Sequence, residues 1–302
     1  MRFLVRYLDN LLCIDRFSAV EPFRDGLPAL YGPMRSDWLS LVEAAFGRRG
    51  NGLMVAVPEL EAGVEAVFLA VFPSPQVVEA LISATGQRSV RLLILHHPAH
   101  YRVEAGWQPV PVKQLAALRQ ARVAVYAVHA PLDESERFGV SACLAGALEL
   151  QVVGPLGPPD SPGLGRAGVV AAPREPLGLK EFVGRVVQAL GVPYADVRRF
   201  GREEVLRVAV VGGGGHTIPD LLGLCEAAGC DTVLTGTIIE RVPNPRWQRA
   251  NARLLQEARR RGINLIGASH CATERYGLLA LGAHLEGMGC EVRFLGCGNP
   301  WE

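Results

Sequence analysis

Val90-Arg91-Leu92-Leu93-Ile94-Leu95-His96-His97-Pro98 is the stretch on which the reading of this chain turns. Apart from Arg91 its first six residues are aliphatic, and so short an apolar run predicts a strand covered on both faces. The run stops at two histidines and a proline. Pro98 has no N–H to give to a ladder and biases His97 towards an extended or turn geometry. Adjacent side chains of a strand point to opposite faces, so His96 and His97 serve one site only if the chain leaves the extended form there. Taken alone, such a pair is more often structural than functional. What makes it informative is the rest of the sequence.

Outward from this strand the chain alternates. Ala66–Phe72 and Val123–Val128 predict strands; Asp37–Phe46 (capped by Ser36), Ser74–Thr85, Val112–Gln120 and Ser141–Leu148 predict helices. Further on, Val169–Ala172, Val205–Val211, Asp231–Leu234, Ile263–Ile266 and Glu291–Leu295 predict strands. Gly178–Leu190, Ile218–Ala228, Pro245–Arg261 and Thr273–Leu285 predict the helices between them. Such alternation predicts an α/β fold of two α/β domains with mixed, largely parallel sheets, in which ligands collect at the carboxyl ends of the strands. The Pro/Gly-rich segment 154–168 reads as a linker. It divides an N-terminal α/β domain, 1–153, carrying His96, His97 and Asp133, from a C-terminal α/β segment, 169–302, carrying His270 and Glu274.

Polar residues recur where these strands end. His129 and Asp133 follow the strand at 123–128; a helical turn there would put both on one face. The alternative is that Asp133 caps a turn. His270-Cys271-Ala272-Thr273-Glu274 opens a helix with imidazole and carboxylate one turn apart, the spacing of paired ligands on metalloprotease helices. The competing reading is a cap in which Ser269 or Thr273 bonds the helix start and Glu274 faces its dipole. Cys271 reads as a core thiol. Together these stretches supply up to four imidazoles and two carboxylates, too many for one tetrahedral ion but suited to two ions bridged by a carboxylate. Such N/O donors suit two divalent transition-metal ions, Zn, Fe, Mn, Co or Ni, better than Mg or Ca. Gly212-Gly213-Gly214-Gly215-His216 lies between a strand and a helix. The N–H groups of Gly213, Gly214 and Gly215 would cradle a phosphate, or the run is simply a tight turn. No Gly-Lys-Ser/Thr follows it. His216, like His129, is a candidate proton shuttle. His100 and His284 show no evident partner.

Bulk properties exclude several classes. Of 302 residues 49% are hydrophobic, so a sizeable core forms, and a net charge of +1 leaves no dedicated nucleic-acid or anionic-membrane surface. Seven irregularly spaced cysteines suggest reduced thiols rather than a disulfide framework or a structural zinc site. Charges interrupt the first seventeen residues, so no signal peptide is expected, and no apolar run approaches the roughly 20 residues of a membrane span. A cytoplasmic protein is expected.

The ordered set of stretches resembles the NIF-three-like dinuclear metal-centre family, also called GTP cyclohydrolase 1 type 2 homologues. The similarity runs through Asp25-Gly26-Leu27, His96-His97-Pro98, His129 to Asp133, Gly165-Arg166, Gly212 to Gly215, Asp231 to Gly236 and Gly267 to Gly277. It implies two α/β domains with a metal site in the interdomain cleft, and a homohexamer. It also implies His96, His97, Asp133, His270 and Glu274 as the ligands, with His129 beside them as an outer partner or a third imidazole. Three features depart from the pattern: Thr237 stands where an acidic residue is usual, a nearby downstream His is absent, and the strand ending at Phe72 lacks a common Asp.

Three functions follow. One is a metal-dependent hydrolase acting through a metal-bridged water on a small-molecule, nucleotide-like substrate. Another is a non-catalytic metal-binding or regulatory scaffold acting through protein partners, which Thr237 favours. A nucleotide-binding α/β protein using only the Gly-rich turn is a third.

Overall fold

The computed structural model describes residues 1–59, 61–83, 89–102, 105–158, 168–215, 218–238 and 245–296, with the side chains of 246 and 247 excepted. The chain forms two compact units. The first is Met1–Arg102, Gly106–Leu132 and Leu278–Gly298; the second is Val103–Ala105, Asp133–Gly277 and Asn299–Glu302. The sequence reading divides the chain at 154–168. The contacts divide it instead between Leu132 and Asp133, and they return Leu278–Gly298 to the first unit.

The first unit is built on a five-stranded sheet ordered Gly52–Val55, Val123–Ala127, Val90–Leu95, Val64–Ala70, Glu291–Phe294. The last four run parallel and Gly52–Val55 is antiparallel to its neighbour. All six residues of Val90–Leu95 are buried, as the apolar run requires of a strand covered on both faces. One face carries a core that includes Leu27, Trp38, Val78, Leu93, Leu115 and Val125. Against Leu69 the C-terminal half of the helix His270–Gly287 comes so close that a Cβ on Gly282 would stand 2.6 Å from Leu69 Cδ1. The expected helix at 37–46 is two pieces, Arg35–Leu41 and Ala44–Arg49. The chain goes extended at Val42, and the Glu43 N–H donates to Met54 O of the sheet instead of a preceding turn. Sheet pairing has overridden local helix propensity there.

The second unit holds a six-stranded sheet ordered Asp196–Arg198, Asn264–Gly267, Thr232–Thr235, Val208–Val211, Gly168–Ala172, Gln151–Pro155. The three strands 264–267, 232–235 and 208–211 are parallel and the outer pairings antiparallel. Separate apolar clusters cover it: Leu144, Phe182, Val186 and Leu190 in one, Leu222, Cys225, Leu254 and Ala258 in the other. Gln151–Pro155 occupies part of the segment read as linker, and its exposure on both sides explains why it carries no strand pattern. Among the described residues no helix is long and apolar enough to cross a membrane.

Candidate metal centre

In the first unit, the parallel strands Val90–Leu95 and Val123–Ala127 end side by side, with Leu95 opposite Ala127. The residues that follow keep the ladder for one more step: His96 N–H donates to Ala70 O, His97 N–H to Val71 O, and Val128 N–H to Leu95 O. The chain then leaves the extended form, so His96 and His97 turn to a common place, with ring centroids 4.4 Å apart. His129 joins them, 5.1 Å from His96 and 4.9 Å from His97 between centroids. One ligand atom from each of the three rings lies within 4.8 Å of the other two.

The rings are held from behind. His96 Nδ1 lies 3.0 Å from Val128 O. A carbonyl only accepts, so Nδ1 carries the hydrogen and a neutral ring has its lone pair on Nε2. His97 lies flat on Phe72, 4.9 Å away at 14°. Phe23 meets both His97 and His129 edge-on, and Trp107 lies 4.9 Å from His97. These rings keep water from His97, which is 1% exposed, and so strengthen any charge interaction at that ring. Phe72, at the end of the strand that lacks the common Asp, is the stacking partner of a candidate ligand.

His129 Nδ1 bonds Glu21 Oε1 at 3.1 Å, and its backbone N–H donates to Asn51 Oδ1 at 2.7 Å. Glu21 is 2% exposed and caps the helix Pro22–Tyr31. Burial drives its carboxyl upward. The charge and hydrogen bond of His129, with bonds from Phe23 and Asn51, outweigh burial and hold the carboxyl below its ordinary value. Sequence reasoning missed Glu21, Asn51, Phe23 and Phe72. The only traces of the first two were an acidic residue before Pro22 and an Asn-Gly pair at 51–52.

In the second unit the strand Asn264–Gly267 leads into the helix His270–Gly287, whose first residue is His270. His270 Nε2 and Glu274 Oε1 are 3.0 Å apart, one helical turn from each other. Two donors that each sit about 2 Å from one ion stand about 3 Å apart, so this spacing fits a shared metal. The cap foreseen in the competing reading is also present, since Ser269 Oγ accepts from Ala272 N–H at 3.1 Å, while Glu274 pairs with His270. Thr273 is turned inward, its hydroxyl accepting the Gly213 N–H at 3.0 Å. The helix start and the Gly-rich turn are thereby joined within this unit. Gly213 has φ +65°, and a Cβ there would run into Glu274 Oε1 and stand 2.9 Å from His270 Nε2.

That close approach gives the glycine run a physical role. Gly212, Gly213 and Gly215 donate their N–H groups to the hydroxyls of Ser141, Thr273 and Thr235. Two of the three N–H groups expected to cradle a phosphate, those of Gly213 and Gly215, are thus engaged inside the fold. His216 and Gly165-Arg166 lie outside the described residues. Asp133 ends the short helix Ala130–Asp133, half-buried, in the second unit. Thr237 is 2% exposed. Two expectations need correction. Cys271 is not a free core thiol but disulfide-bonded, whereas Cys13, Cys143, Cys225, Cys230 and Cys290 are free. His284 has a partner: its Nε2 is 2.6 Å from Tyr7 OH, an association of the two ends of the chain invisible to local reading.

Imidazoles gathered at parallel strand ends, with a His–Glu pair at a helix start, define an α/β protein with N/O donors that could hold a borderline divalent metal. The chain belongs to the Duf34/NIF3 (NGG1p interacting factor 3) family, whose profile matches residues 42–297. The match excludes Asp25-Gly26-Leu27, where the resemblance read from the sequence begins. A Pseudomonas aeruginosa protein described as a GTP cyclohydrolase 1 type 2 homolog is 30% identical over 227 residues, 74% of this chain and 81% of its own length. Among solved structures, protein ybgI, described as of unknown function, superposes with a TM-score of 0.65 at 25% identity, covering 83% of this chain and 90% of its own. TTHA1606 from Thermus thermophilus gives 0.62 at 25% identity, over 97% and 96% of the two chains.

Proposed function

We propose that this protein is a metal-dependent hydrolase of small molecules, with His96, His97, Asp133, His270 and Glu274 as ligands to two divalent transition-metal ions. The observation that carries the reading is the convergence of three imidazoles on one place, one of them with Nδ1 committed to a backbone carbonyl. Metal-ligating histidines characteristically donate their other N–H in this way. Ions of this kind acidify water and polarise a carbonyl, imine or phosphoryl group. The protein's own residues do the rest. Phe23, Phe72 and Trp107 keep solvent from His97 and hold it in one orientation. Thr273 and Gly213 set the His270–Glu274 pair. The name of the relatives points to a nucleotide-like substrate; the internal bonding of Gly213 and Gly215 argues that its phosphates are held elsewhere than on that turn.

Elemental analysis of protein purified without added metal is the test. About two metals per chain are expected, lost together with turnover of a nucleotide, amide or phosphoester in the variant His96→Ala with His270→Ala. No uptake after metal addition sinks the reading. A second reading, a metal-dependent scaffold without turnover, is favoured by the buried Thr237 in place of an acidic residue. It predicts assembly, a homohexamer by family resemblance, that dissolves on chelation while no substrate in the screen is consumed. An intracellular location is part of either reading and is checked by fractionation.

A further inference from the structure

Glu21 lies ahead of the segment that matches the family, which begins at residue 42. It nevertheless accepts four hydrogen bonds beside the imidazole cluster. Its Oε1 accepts from Phe23 N–H at 3.0 Å and from His129 Nδ1 at 3.1 Å. Its Oε2 accepts from Asn51 Nδ2 at 2.9 Å and from Ala130 N–H at 3.1 Å. A carboxylate offers about four lone-pair sites. Two of the four partners are backbone N–H groups that can only donate. The third is fixed as a donor because the other end of the Asn51 amide accepts the His129 N–H. The carboxylate is therefore an acceptor throughout, and the fourth partner, His129 Nδ1, carries a hydrogen.

A neutral His129 then has its lone pair on Nε2. His96, through Val128 O, is set in the same tautomer. Two rings of the trio are thus set alike, by two unrelated devices, in a cluster whose ligand atoms lie within 4.8 Å. A carboxylate behind a histidine fixes its orientation and raises its basicity as a ligand.

We propose that Glu21, steadied by Asn51, is a positioning residue that makes His129 an Nε2 metal ligand, completing a three-imidazole site with His96 and His97. This rests on the metal-centre reading above. It assigns to a segment outside the family match a direct part in building the centre. In the variant Glu21→Gln one end of the side chain becomes NH2, which must face either Phe23 N–H or Ala130 N–H. With the NH2 towards Phe23, His129 can be accommodated only by moving its hydrogen to Nε2.

Two measurements on the full chain test this. Long-range 15N–1H correlation spectra of the metal-free wild type report the His129 tautomer. Nδ1–H is expected, and Nε2–H overturns the proposal whatever any variant does. Competition with a chromophoric chelator then gives the Zn affinity. Glu21→Gln and His129→Ala are each expected to weaken one ion by about 10–100-fold. The double variant should be no weaker than His129→Ala alone, because Glu21 acts only through that ring. Unchanged affinity in His129→Ala, in protein whose wild type binds two ions, refutes the proposal and leaves the metal-centre reading intact. A wild type that binds no Zn refutes both. If Glu21→Gln does not fold, the tautomer and His129→Ala still decide.

Discussion

Gly213 shows how much one residue can hold in place. At φ +65° a side chain is strained, and here a Cβ would also enter the space of Glu274. Gly213→Ala is expected to cost about 1–3 kcal/mol in urea unfolding. It should also lower the metal content of purified protein, since the added methyl displaces the His270–Glu274 pair. Loss of stability with full metal content would argue against that geometry. Glu21 makes a prediction about pH. Its folded-state value lies below the ordinary 4.5, so its contribution is fully present above about that value and is lost as pH falls through the folded-state value. The stability gap between wild type and Glu21→Gln should be widest near pH 6 and narrow steadily towards pH 3. A gap that is constant with pH contradicts this assignment.

At the scale of elements, the start of the helix His270–Gly287 shows why a motif's spacing is only part of its meaning. Its i, i+4 pair was readable from residue types. The inward Thr273 that ties the helix to the Gly-rich turn was not, because its partner Gly213 is sixty residues away in sequence. Thr273→Val keeps the shape and removes the hydroxyl, leaving the Gly213 N–H buried without its acceptor. A loss of about 1–3 kcal/mol is expected. Faster hydrogen exchange at the Gly213 amide, with the helix itself still protected, is the check. The broken helix at 35–49 is the opposite case. There, residue types suited to one helix are divided because Glu43 pairs with the sheet.

At the scale of the whole molecule, the C-terminal strand Glu291–Phe294 joins the first sheet, parallel to Val64–Ala70. Its exposure alternates, with Val292 and Phe294 on the covered side. Placing aspartate at both positions should expose that edge. Hydrogen-exchange protection should fall at 64–70, while the strands 208–211 and 232–235 of the other sheet keep theirs. Uniform loss across both sheets would mean that the two units unfold as one. Local patterns could assign this strand but not its sheet, since pairing over more than two hundred residues leaves no periodicity in either partner.

The α/β class, most element positions and the His96-His97 and His270–Glu274 motifs came from local chemistry. Apolar runs that need burial, prolines that stop ladders and four-residue spacing on a helix are all written within a few residues. Those signals survive because they act over a turn or a strand. Tertiary structure alone decided what stands behind the motifs: Glu21 and Asn51 behind His129, Phe72 beneath His97, and Gly213 against Glu274. Each is a contact between residues remote in the chain, in which a common side chain, or none at all, matters only through its distance from another. A buried carboxylate that accepts four hydrogen bonds has no sequence signature of its own, because its donors are assembled only when the sheet, the helix start and the Asn-Gly turn meet.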